Sequence, residues 1–123
     1  MSNYPENFDH MMAAWNEHDL SKVRGHLEKA VAPDVHFLDP NKNVMGIDAF
    51  VEMVNEFRTE IAPDAVNSRA SGVDSHNGLY RYNWAIHSKG ELVLTGFDMC
   101  MTNDDGMISK VYGFFGPLPE LES

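Results

Sequence analysis

Asp98 is a carboxylate in apolar company. It sits in the stretch LVLTGFDMCM, residues 92–101, among leucines, methionines, a phenylalanine and a cysteine, where an ionised group is costly to bury. Burial raises the pKa of an aspartate, and a carboxyl that keeps its proton can donate a hydrogen bond or exchange that proton with a bound molecule. The plain alternative is a buried Asp satisfied by a hydroxyl, an amide or water. The other reactive side chains are less well placed. Cys100 is the single cysteine, so no intramolecular disulfide forms, which suits a reducing cytoplasm. With no pattern of His ligands near it, neither a metal site nor a cofactor is expected. His18 and His26 read as surface positions of a helix, His36 alternates away from Phe37 and Asp39, and His87 ends a strand beside a turn and reads as solvent-facing.

Charge narrows the partners. The net charge is −10, and the nine Lys and Arg are scattered rather than clustered, which argues against nucleic acid as a partner. There is no apolar run near the ~18 residues of a membrane span. The start, MSNYPENF, lacks the basic and apolar segments of a signal peptide. At 123 residues, with no repeat or linker, the chain reads as a single domain over 1–123.

The first half reads helical. Phe8, Met11, Met12 and Trp15 form one apolar stripe after Pro5. Asp19 is a good N-cap for a second helix, whose stripe of Leu20, Val23, Leu27 and Val31 runs on to Pro33. A short extended piece, DVHFLDP, precedes a third helix opening near Gly46 and striped by Ile47, Phe50, Val54, Phe57 and Ile61 until Pro63 stops it. The second half reads as strands, LYRYNWAIH, ELVLTGFDMCM and MISKVYGFF, separated by the turn signals HNG, SKG and NDDG. Helices followed by an antiparallel meander make an α+β fold with the helices on one face of a curved sheet.

Alternation then sorts side chains between faces. Tyr80, Tyr82, Trp84 and Ile86 share one face of their strand, with Arg81 on the other. In the next strand Leu92, Leu94, Gly96, Asp98 and Cys100 oppose Val93, Thr95, Phe97, Met99 and Met101. Both faces of that strand are apolar, so helices are expected to cover one and a second subunit the other, making a homodimer.

WNEHDLSKV, APDVHFLDP, GIDAFVEMV and GFDMCMTNDDGMISKVYGFFG, in that order, resemble the NTF2-like superfamily, in particular its SnoaL-like and ketosteroid-isomerase-like branch. The likeness runs from about Phe8 to Gly116. It implies a cone of three N-terminal helices packed against a curved antiparallel sheet, enclosing an apolar cavity, and usually a dimer. It also implies roles for two residues. The isomerases place their base in an Asp-Pro dipeptide before the third helix, here Asp39, and a protonated Asp on the penultimate strand, here Asp98. A carboxylic acid kept neutral so as to donate a hydrogen bond is the known ketosteroid-isomerase device and comes with the resemblance. Three tyrosine positions of those isomerases fall on Met11, Val31 and Val54, none a donor, which argues against a true steroid isomerase. The limonene epoxide hydrolase branch needs an Asp-Arg-Asp set, and Arg81 lies on the face opposite Trp84.

On this reading Asp39 and Asp98 are the catalytic pair, and the ligand-binding residues are Trp15, Phe37, Phe57, Tyr82, Trp84, Val111 and Phe115. Tyr82 and Trp84 count as wall, and Trp15 either lines the mouth or packs. The ligand would be a small, mostly apolar carbonyl or hydroxyl compound, isomerised or cyclised by acid–base proton transfer. Asp39 has a structural reading too, because Asp-Pro opens turns. A non-catalytic ligand-binding or dimerisation module is the alternative for the whole protein. The acidic tail PELES reads as a frayed terminus.

Overall fold

The computed structural model describes residues 5–122; the first four residues of MSNYPENF and the last of PELES lie outside the described residues. Helix α1, Asn7–Trp15, buries Phe8, Met11 and Ala14. The Asp19 side chain accepts the backbone N–H of Ser21 and opens a single 3₁₀ turn, Leu20–Lys22, which leads into α2, Val23–Glu28. Helix α3, Ile47–Glu56, buries Phe50, Met53 and Val54 and widens into one π turn, Phe57–Ile61, before Pro63. Gly46 precedes α3 with φ +89°, a conformation glycine adopts without strain, and its N–H donates to the Val35 carbonyl at 2.7 Å.

Seven strands follow or interleave: β1 Val31–Asp39, β2 Lys42–Met45, β3 Ala65–Arg69, β4 Asp74–His76, β5 Leu79–Ser88, β6 Glu91–Thr102 and β7 Ile108–Phe115. They form one curled, unclosed sheet in the order β2-β1-β7-β6-β5-β3, with β4 also paired to β5. The fold is α+β with three helices. The β4–β5 and β5–β6 turns carry consecutive positive φ at Asn77–Gly78 and Lys89–Gly90, the primed-turn geometry that matches strand twist.

Three expectations are corrected. The second helix ends at Glu28, and Val31 opens β1 instead of closing a helical stripe. Pro33 falls where β1 bulges: Val31 pairs with Ile108 and His36 with Lys110, so five steps along β1 match two along β7. A bulge tolerates a residue with no N–H to donate. The sheet is not wholly antiparallel, because β1 and β7 run parallel; α3 and strands β2 to β6 form the long crossover that a parallel pair requires. Strands β2, β3 and β4 were not expected, being short and lacking a clean apolar alternation.

The core lies between the helices and the inner face of the sheet. Leu27, Val23 and Phe50 from the helices meet Val31, Val35, Cys100, Ile108 and Val111 from the strands, all fully buried or nearly so. The outer face of β6 and β7 stays partly open: Val93 is 61% and Phe114 58% exposed, and Phe97 stacks on Phe114 at 5.4 Å.

Candidate functional site

Strand register places the site. Across β6, Asp98 faces Tyr82 of β5 on one side and Gly113 of β7 on the other. Two residues along β5, Trp84 faces Gly96, so its indole can lie diagonally over β6 toward Asp98. Gly96 provides the room: a Cβ there would collide with the Trp84 indole and with the Phe114 carbonyl.

The indole N–H of Trp84 donates to Asp98 Oδ1 at 2.9 Å, and the Tyr82 hydroxyl donates to Oδ2 at 3.4 Å. The same hydroxyl lies 3.9 Å from Cys100 Sγ. Burial pushes the Asp98 carboxyl up to about 7; the bonds from Trp84 and Tyr82 oppose this, and the nearby charge of Asp39 adds to it. Burial also drives the Tyr82 hydroxyl and the Cys100 thiol upward. Tyr82 and Trp84 are therefore hydrogen-bond donors as well as wall. The signal was legible in part: Tyr82 and Trp84 alternate on one face, and the SKG turn ties that strand to the one carrying Asp98.

Asp39 ends β1. Its Oδ1 accepts the backbone N–H groups of Asn41 and Lys42, each at 2.8 Å, which closes the turn into β2. A Cβ on Gly113 would stand 2.8 Å from Asp98 Oδ1 and 3.5 Å from Asp39 Cβ, so the missing side chain lets both aspartates approach the same point of β7.

These groups share a pocket of about 230 Å³. Of the residues singled out from sequence, Asp39, Asp98, Trp15, Phe37, Phe57, Tyr82, Trp84 and Phe115 line it. Val111 does not; it is 1% exposed and packs in the core, because it pairs with Phe37 and Cys100 in the middle of the sheet. Met11, Val31 and Val54 are likewise core residues. Sequence reasoning missed Met12, Met53, Ile86 and Leu94 in the wall and Asn41, Lys42 and Asn67 among its polar groups. Among the described residues Lys42 is the only cationic side chain in the lining, and its Nζ is engaged by Glu56 Oε1 at 2.7 Å. His36 lies elsewhere, between Tyr112 and Asn43. His26 is half-buried against Glu17 at 2.7 Å rather than a free surface group. Among the described residues no three His, Cys, Asp or Glu side chains converge as a metal-binding set would.

One buried cation supports the pocket from behind. Arg58, on the π turn, is 5% exposed. It donates to the carbonyls of Ala65 at 2.6 Å, Pro63 at 3.1 Å and Trp15 at 3.3 Å, and lies 3.2 Å from His18 Nδ1. It ties the end of α1 and the start of β3 to the helix that carries Phe57.

The SnoaL-like domain family model matches residues 8–111. This chain belongs to the SnoaL-like family. Among solved structures, an isomerase candidate of the SnoaL-like family from Agrobacterium tumefaciens is 28% identical, with a TM-score of 0.84 over 90% of this chain and 95% of that one. An NTF2-like protein of unknown function from Exiguobacterium is 19% identical, with a TM-score of 0.74 over 91% and 99%. A polyketide cyclase candidate from Sinorhizobium meliloti is 15% identical, with a TM-score of 0.71 over 90% and 95%. The last two establish likeness of fold alone. No curated protein matches. Within this SnoaL-like domain, the pocket carries two carboxylates, six aromatic residues and one cation already paired.

Proposed function

We propose that this SnoaL-like domain binds a small, mostly apolar carbonyl or hydroxyl compound in its pocket and moves a proton on it without a cofactor, as an isomerisation or an aldol-type cyclisation. The observation that carries the reading is Asp98: it lines the pocket, it has two side-chain donors, neither of them a cation, and its carboxyl is raised to about 7. A neutral Asp98 donates to the ligand oxygen as charge develops there. Asp39, with Oδ1 held by two amides, presents Oδ2 to take a proton from the adjacent carbon. The aromatic wall supplies the apolar contact. The test is deuterium exchange next to the carbonyl of a panel of aryl ketones in D₂O, followed by proton NMR. Exchange above the buffer rate that is lost in Asp98→Leu, which removes the donor, and in Asp39→Asn supports the reading; exchange at the buffer rate in all three proteins overturns it.

A second reading, a non-catalytic ligand-binding module, is favoured by one observation: Asp39 already serves the turn into β2 through two backbone amides. In either case the half-exposed apolar face around Phe97 and Phe114 would carry a homodimer contact, and the acidic, single-cysteine chain suits the cytoplasm.

A further inference from the structure

The two oxygens of Asp98 are not equivalent. An indole N–H is a donor only, so the oxygen it reaches, Oδ1 at 2.9 Å, must offer a lone pair whatever the charge on the group. Oδ1 is also the oxygen against β7, since a Cβ on Gly113 would come within 2.8 Å of it. Oδ2 lies on the other side, 3.4 Å from the Tyr82 hydroxyl, a group that can donate or accept. We propose that Trp84 is the positioning residue of the pocket: it holds Oδ1 as an acceptor, so that the proton of neutral Asp98 resides on Oδ2, beside Tyr82, and is presented there to a bound oxygen. The use made of the proton rests on the proposed function; its position does not.

Two glycines make this arrangement possible. Gly96 lets the indole lie across β6, and Gly113 leaves room for Oδ1 between Trp84 and β7. The bond also stabilises the ionised form, and of the two donors Trp84 is the one that pulls the Asp98 carboxyl down more. The other titratable groups acting on Asp98 or its donors are Tyr82 on β5, Cys100 on β6 and Asp39 at the end of β1. Tyr82 and Cys100 are both driven upward by burial, away from the range in which Asp98 titrates, so both keep their protons there.

The test uses the full chain labelled with nitrogen-15 and carbon-13. From pH 5 to 9 the Trp84 indole N–H should move with the same midpoint as Asp98 Cγ. In Trp84→Phe, which keeps a ring in the wall, that midpoint should rise by about one pH unit, the worth of a lost hydrogen bond to a charged group. In Asp98→Asn the side-chain carbonyl replaces Oδ1 and the amide N–H₂ replaces protonated Oδ2, so the indole resonance should stay hydrogen-bonded and stop titrating. A Trp84→Phe midpoint equal to that of the parent, with Tyr82→Phe raising it instead, would place the proton on Oδ1 and overturn the proposal. So would an indole in Asp98→Asn that exchanges as fast as one in free solution. The parent titration and the Asp98→Asn spectrum decide the matter even where Trp84→Phe does not fold. Coupled titration without deuterium exchange on any ketone dismisses the proposed function and leaves the role of Trp84 standing.

Discussion

Replacing Asp98 with Asn should make the protein more stable at pH 8 and remove most of its pH dependence between pH 5 and 7. In the folded chain the Asp98 carboxyl keeps its proton up to about 7, whereas an ordinary Asp loses it near 3.8. Between those values the unfolded state binds fewer protons, so stability falls as pH rises. The contribution is fully present below 3.8 and fully lost above about 7. The interval spans roughly three pH units, which at about 1.4 kcal/mol each amounts to about 4 kcal/mol, and about 2 kcal/mol of it lies between pH 5 and 7. That is a large share of the roughly 5–15 kcal/mol that holds a small domain together. Glu17 and Asp19, whose carboxyls are held down by His26 and Ser21 respectively, change their contribution only below the ordinary carboxylate range, outside this window. The amide introduced by Asp98→Asn would carry no charge and would still offer an acceptor to Trp84. Urea unfolding of both proteins at pH 5, 6, 7 and 8, followed by tryptophan fluorescence, reads the difference, and subtraction cancels the six histidines common to both. A parent protein with flat stability from pH 5 to 8, or an Asp98→Asn variant with the same slope as the parent, would refute the assignment of a protonated, desolvated Asp98.

Gly113→Ala should push Asp98 off Trp84, since the new methyl would stand 2.8 Å from Oδ1; the expected cost is about 1–3 kcal/mol in urea unfolding, with loss of the hydrogen-bonded indole resonance. Arg58→Ala removes three bonds to backbone carbonyls in a buried place and should cost about 2–4 kcal/mol, read from the urea midpoint. On the proposed homodimer, the parent should sediment as a dimer and Phe97→Lys as a monomer in sedimentation velocity, because a charge in the centre of that apolar face opposes its burial.

Much of this molecule was written in its residue pattern, and what was not has identifiable causes. The stripe Phe8, Met11, Trp15 predicts a helix that forms where expected, and Asp19 caps the 3₁₀ turn leading into α2, although that helix stops at Glu28. The HNG and SKG signals predict turns that form with left-handed backbone at Asn77, Gly78, Lys89 and Gly90. Val31 misled because a lone β-branched residue fits a helical stripe and a strand equally well, and only its pairing with Ile108 decides. Strand β3 was missed because AVNSR has no strict alternation; its place depends on partners in β5. At the site, apolar surroundings revealed Asp98, but its donors depend on inter-strand register, which a single chain does not display. The gaps at Gly96 and Gly113 are legible only once three strands lie side by side.

The place of β7 in the sheet has a consequence for how the chain comes to be folded. The last strand in chain order is an inner strand, flanked by β1 on one side and β6 on the other. Until it exists, β1 and β6 both present unpaired backbone edges, and the apolar inner face they share is uncovered. The parallel β1–β7 pairing joins Val31 to Ile108, a contact distant along the chain, which makes closure a late and slow event. During synthesis the helices and the β1–β2 and β5–β6 hairpins can form early, but the sheet completes only after β7 emerges. A chain cut short before Ile108 is thus an aggregation hazard rather than a smaller folded domain.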